Sequence, residues 1–224
     1  MKAFKTSSQF STENRWLWRA CFFAIIGVCT GCSPSFHYTP AFGKISPAIA
    51  DSTGLAIGTG LDLRPTDQRQ PDWAKNAELI VSDALAEEVR HSKLFQRVKT
   101  HADSVNLKKY SEVVRFRIQT FECYNEPAFF EQAGRELLRD RGFHGVLIAA
   151  SIPSKYVSQV AIEFEVLEAS TQRSIFVRTY SATGSITVNG YQGEKPKIKQ
   201  TSDELEVVLT QFVGDLAKSM IDSN

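Results

Sequence analysis

Apolar and polar residues change their spacing several times along the chain, and each change marks an element. After Gly54, Leu55, Ile57, Leu61 and Leu63 recur at strand spacing, and Arg64-Pro65 through Pro71 ends the run as a loop. Asp72 stands where it can cap a helix in which Trp73, Ala77, Ile80, Val81, Ala84, Leu85 and Val89 form one stripe. Leu94, Phe95 and Val98 open the next packed segment, and the polar stretch from His101 to Lys109 offers little to bury. Residues 112–121 alternate, with Val114, Phe116 and Ile118 on one side and Val113, Arg115, Arg117 and Gln119 on the other.

Pro127 suits the first position of a second helix, with Phe130, Ala133, Leu137 and Leu138 inward, and Gly142 ends it before a strand from His144 to Ile152. Two long alternating runs, 156–168 and 173–188, are joined by Glu168-Ala-Ser-Thr-Gln172 and predict a hairpin. Ile162, Phe164 and Val166 share one face of it, while Glu163 and Glu165 take the other, within reach of Arg115, Arg117 or Arg178. Thr201 and Glu204 have capping-box spacing ahead of a final helix that carries Leu205, Val208, Leu209, Phe212, Val213, Leu216 and Met220. This order predicts an α/β (α+β) fold of two layers, a mixed sheet with helices packed on one face.

The first 31 residues follow a different logic. Arg15 and Arg19 precede a short apolar core from Ala20 to Thr30, too brief for the roughly 20 residues of a permanent membrane span. The core ends at Thr30-Gly31-Cys32, which resembles the lipobox of bacterial lipoproteins, with Cys29 where an aliphatic residue is usual. Cys29 itself follows the larger Val28 and fits less well as the modified residue. The resemblance implies cleavage before Cys32, diacylation of that cysteine, and, from Ser33 after it, sorting to the outer membrane. Residues 33–51 hold Pro34, Pro40, Gly43 and Pro47 without a sustained period and read as a flexible tether. The expected organisation is a signal peptide over 1–31, a lipidated cysteine and tether over 32–51, and one periplasmic domain over 52–224.

Removing residues 1–31 takes away four basic residues and one acidic one, so the formal charge moves from +1 to −2. Such a balance gives no general electrostatic reason to bind nucleic acid. Of the four cysteines, Cys21 and Cys29 leave with the signal and Cys32 takes the lipid, so Cys123 stays as a lone thiol; an unmodified Cys32 would leave a Cys32–Cys123 bridge open.

The layout resembles a class of envelope lipoprotein domains that includes CsgG, LpoB, the YajG-like lipoproteins and the amino-terminal domain of TolB. The phrases that carry it are Gly54-Leu-Ala-Ile-Gly-Thr-Gly-Leu-Asp-Leu63, Leu94-Phe-Gln-Arg-Val98, Gly142-Phe-His-Gly-Val-Leu-Ile148 and Val160-Ala-Ile-Glu-Phe-Glu-Val-Leu167. The resemblance implies a scaffold, partner-binding or assembly role and brings no catalytic motif.

Candidate chemistry is sparse. Gly58-Thr-Gly60 lacks the spacing and the Gly-Lys-Ser/Thr ending of a phosphate loop and reads as a bulge or a close backbone approach. His37, His91, His101 and His144 are dispersed, without metal-ligand spacing. Glu163 and Glu165 sit on a strand face where cross-strand pairing explains them, and no Gly-x-Ser-x-Gly elbow occurs. No catalytic, metal or cofactor residue is therefore assigned. The segment 189–200 offers Tyr191 with Lys195, Lys197 and Lys199, a basic strip for an envelope protein, an acidic glycan or a lipid headgroup, though it also reads as a solvated connection. The expected function is that of a non-enzymatic, lipid-anchored accessory protein. An auxiliary lipoprotein of an envelope ABC-type transporter and an envelope hydrolase are the alternatives.

Overall fold

The computed structural model describes residues 36–44, 54–69, 71–102, 109–126, 153–189 and 192–222. The helix expected from Pro127 and the strand expected from His144 to Ile152 lie outside them. The elements are β1 (Leu55–Ile57), β2 (Leu61–Asp62), α1 (Ala77–Ser92), β3 (Val98–Lys99), β4 (Glu112–Glu126), β5 (Pro153–Glu168), β6 (Ser174–Asn189) and α2 (Lys195–Asp222). They build an open mixed sheet of six strands in the order β3-β1-β4-β5-β6, with β2 also along β4. β1, β2 and β3 run parallel to their neighbours, and β4, β5 and β6 are antiparallel.

Both helices cover the same face, because their stripes and one side of the sheet form a single core. Val114, Phe116 and Ile118 of β4 and Ile162, Phe164 and Val166 of β5 face Leu205, Val208, Leu209, Phe212, Val213 and Leu216 of α2 in that core. Phe212 stacks on Phe164 with ring centroids 4.2 Å apart, and Tyr180 meets Phe212 edge-on at 5.9 Å. A smaller cluster of Ala56, Val113, Leu167 and Ala169 lies apart from this core.

Two register shifts explain where simple alternation fails. In β4 the pairing with β5 slips between Ile118 and Thr120, so Gln119 is an extra residue and Phe121 joins the face of Ile118. Between β1 and β2, Ile57 pairs with Val114 but Leu61 with Arg117, four residues against three. The added residue lies in Gly58-Thr-Gly60, where a Cβ on Gly60 would run into the Phe116 ring. That bulge corrects the expectation for the first strand: Leu55 and Ile57 are buried, whereas Leu61 and Leu63 are exposed.

Asp62 instead faces a buried guanidinium. Arg64 donates from Nε and Nη2 to the two oxygens of Asp62, and its remaining donors reach the carbonyls of Phe121 and Ala74 at 2.8 Å each. Arg69 closes the turn by donating to the carbonyls of Arg64 and Asp62. Burial alone would raise the Asp62 pKa, but the hydrogen bonds and charge of Arg64 with the charge of Arg69 hold it below the usual carboxylate range. Asp72 starts a short 3-10 turn, not α1, which begins at Ala77 after Asn76; Trp73 is nonetheless buried against Phe121.

Leu209 is fully buried, so Leu209→Ala is expected to cost about 2–5 kcal/mol in reversible urea unfolding. Because the folded pKa of Asp62 is depressed, its stabilisation is present above the unfolded value near ~3.9 and is lost as pH falls through the folded one. The thermal midpoint should therefore fall in acid, and Asp62→Asn should flatten that part of the profile.

Candidate partner surfaces

Cys32 and Tyr191 lie outside the described residues, and the three lysines are placed differently from expectation. α2 starts at Lys195, so Lys195, Lys197 and Lys199 occupy its first turns and not an extended connection. On a helix the i, i+2 spacing separates Lys197 from Lys195 and Lys199, which share a side. Lys199 pairs with Asp203 one turn later at 2.7 Å. The Thr201–Glu204 pair is likewise not a capping box, since both residues sit within α2.

Those two residues instead join a polar seam between α2 and the sheet. Thr201 and Ser158 are fully buried, and Gln200 donates to Glu204 at 2.9 Å. Gly184 of β6 makes room for them, because a Cβ there would collide with the Glu204 carboxylate. Cys123 borders the seam: burial pushes its thiol up to about 11, against the opposing pull of Lys197 and the Thr201 hydroxyl. A thiol held protonated at neutral pH is a poor nucleophile. His37, His91 and His101 are each exposed, and among the described residues no three His, Cys, Asp or Glu side chains gather as a metal site.

Sequence reasoning missed the second surface feature, a strap formed by residues 36–44. The packed unit begins at Phe36, which corrects the reading of this stretch as a free tether. Phe36, Tyr38 and Phe42 pack on the main core, with Phe36 5.9 Å from the Phe121 ring. The carboxylate of Glu88, buried in α1, accepts from the Tyr38 hydroxyl at 2.5 Å and from the backbone N–H groups of Ala41 and Phe42 at 3.2 and 2.6 Å. Ser202 of α2 donates to the His37 carbonyl at 2.9 Å. Burial, reinforced by the bond to Glu88 and its charge, raises the Tyr38 pKa far above that of a free phenol, so the hydroxyl is a fixed donor. The readable signal was Glu88 itself, a carboxylate among Ala84, Leu85 and Val89 on the buried side of a helix.

The third feature is the part of the sheet that the described residues leave open. Arg117 and Glu163 pair across β4 and β5 as expected, whereas Arg178 reaches Asp215 of α2. β6 forms the edge, and among the described residues it pairs only with β5. On the side away from α2 it presents Thr179, Ser181, Thr183, Ser185 and Thr187, all exposed, beyond exposed Ile175 and Val177.

No protein-family model matches the chain, and no curated protein sequence does. Its fold is similar to that of a Xanthomonas campestris protein of the DUF330 family, at 14% identity over 85% of this chain and 98% of that one, with a TM-score of 0.54. Weaker likenesses join it to a hypothetical protein from Chlamydia trachomatis, at 9% identity over 76% and 98% of the two chains and a TM-score of 0.47, and to a lipoprotein from Neisseria meningitidis, at 9% over 74% and 99% with 0.32. At 14% identity the Xanthomonas likeness shows a shared fold.

Glu88→Ala leaves one hydroxyl and two backbone N–H groups without their acceptor, and is expected to lower stability by roughly 3 kcal/mol. Limited proteolysis should then cut within residues 36–44 while the sheet stays intact. An unchanged cleavage pattern would show that Glu88 does not hold the strap.

Proposed function

We propose that this chain is a lipid-anchored protein of the bacterial envelope, held on the outer membrane through Cys32 with its domain in the periplasm, that acts by binding a protein partner. The observation that carries the binding role is the edge of β6. Sixteen residues long, it contains no proline and a single charge, Arg178, which is turned toward α2. Edges left open to solvent are ordinarily blunted by lysines, prolines, short length or bulges; β6 has none of the first three, and its one register shift, at Ile175, lies near its start. Open among the described residues, a long edge suits the addition of an extended segment from a partner, where backbone hydrogen bonds supply affinity and alternate side chains supply specificity. The resemblance of the sequence phrases to those of CsgG-like and LpoB-like domains supports a scaffold or assembly role of the same kind.

Photocrosslinking residues placed at Thr179, Thr183 and Thr187 in intact envelopes test this. A recurrent protein adduct is expected, and it should vanish when Ser181 and Ser185 become lysines, which leave the fold intact because both positions are exposed. A transporter permease or substrate-binding protein in the adduct would assign the chain to a transport assembly. Absence of adducts at all three positions, or adducts indifferent to the lysines, would reject the edge as the interface.

A further inference from the structure

Read backward, β6 is complementary to itself. On the side that faces α2, the large residues Phe176, Arg178 and Tyr180 come first, and the small Ala182 and Gly184 follow before Ile186. α2 runs antiparallel above this strand, since Asp215 meets Arg178 and Tyr180 while Glu204 lies over Gly184. The one charge of β6 is thus matched by Asp215. The Glu204 carboxylate accepts from Gln200 but pairs with no cation among the described residues.

A strand added antiparallel to β6 sets residues directly opposite one another on the same face. A second β6 laid there with Ser181 opposite Ser181 puts Arg178 of each copy against Gly184 of the other, and Tyr180 against Ala182. Each large side chain then meets a small one, and Phe176 meets Ile186. The incoming guanidinium falls beside the Glu204 carboxylate, and its several donors can serve that oxygen without giving up Asp215. A slip of the pairing one way sets Tyr180 against Tyr180, and a slip the other way sets Arg178 against Ile186, so the match belongs to this register. On the opposite face it pairs the exposed Ser181 with itself and Thr179 with Thr183, hydroxyl pairs that favour adjacent strands.

Resting on the reading of β6 as a partner-binding edge, we propose that the partner is a second copy of this chain, joined β6 to β6 about a two-fold axis at Ser181. The same patch serves both copies, so the contact closes on itself and does not extend into a fibre. The two meanders form one continuous sheet with both α2 helices on the same face.

Disulfide trapping of the full chain in intact envelopes tests this, in a Cys123→Ser background with single cysteines at exposed positions of β6. Directly opposite residues have Cα atoms about 4.5–5.5 Å apart, within disulfide range. In the proposed register Thr179 of one copy lies about 13 Å from Thr179 of the other, out of that range. Under mild oxidation Ser181→Cys should give severalfold more disulfide-linked dimer than Thr179→Cys or Thr183→Cys alone, and Thr179→Cys combined with Thr183→Cys in one chain should restore the yield. Equal yields at the three single positions overturn the register and with it the two-fold contact. Photocrosslinks from Thr183 to a different protein, with Ser181→Cys remaining monomeric, overturn the second copy and leave the edge reading standing. Absence of both crosslink and disulfide overturns the two together.

Discussion

Burial of the α2 stripe against the β4–β5–β6 meander is the interaction on which the rest depends. Leu205, Val208, Leu209, Phe212, Val213 and Leu216 are all fully buried, and Phe164 is gripped between Phe116 and Phe212. Strands as long as β5 and β6 have no reason to stay paired as an isolated hairpin, which is marginal in water; a helix of matching length gives them a common core. Tyr180 and Arg178 extend the same contact to the edge strand by meeting Asp215 of α2.

Among the described residues the helices cover one face only, and this has a consequence for the other. The cross-strand pairs Arg117–Glu163 and Lys155–Glu126 keep the open face hydrated, and toward β6 the charges give way to hydroxyls. A row of Ser and Thr lacks the charge repulsion that would keep another strand away and lacks the large apolar area that would invite unspecific collapse. The recognition proposed for such an edge would rest on backbone geometry, which is demanding in register and sparing in side chains.

How far the fold was legible follows from the same physics. The α2 stripe and the faces of β5 were plain because both periods run unbroken. β4 was legible up to Ile118 and opaque after it, since one extra residue at Gln119 reverses the alternation, and a period cannot announce its own interruption. Leu61 and Leu63 failed for that reason at the Gly58–Gly60 bulge. Thr201 and Glu204 imitated a helix start because capping and burial in a polar seam call on the same residue types, and only the position of Gly184 opposite them separates the two. The lysines at 195, 197 and 199 looked like a strip because the segment was read as a connection before the helix; once helical, the same spacing spreads them around its first turns.

The strap was hidden for a different reason. Phe36, Tyr38 and Phe42 share the parity of a strand, but the run is short, and the proline and glycine among them suggest a tether. Their partner is a single carboxylate, and a buried Glu88 has a heavy desolvation cost unless donors surround it. Read from the helix, that cost requires something outside α1 to bring N–H or O–H groups to it; the strap brings three. A buried acid on an otherwise apolar helix face is thus evidence about a distant segment. In this chain it ties residues 36–44 to the core, so a change at Glu88 acts at once on stability and on the docking of that segment.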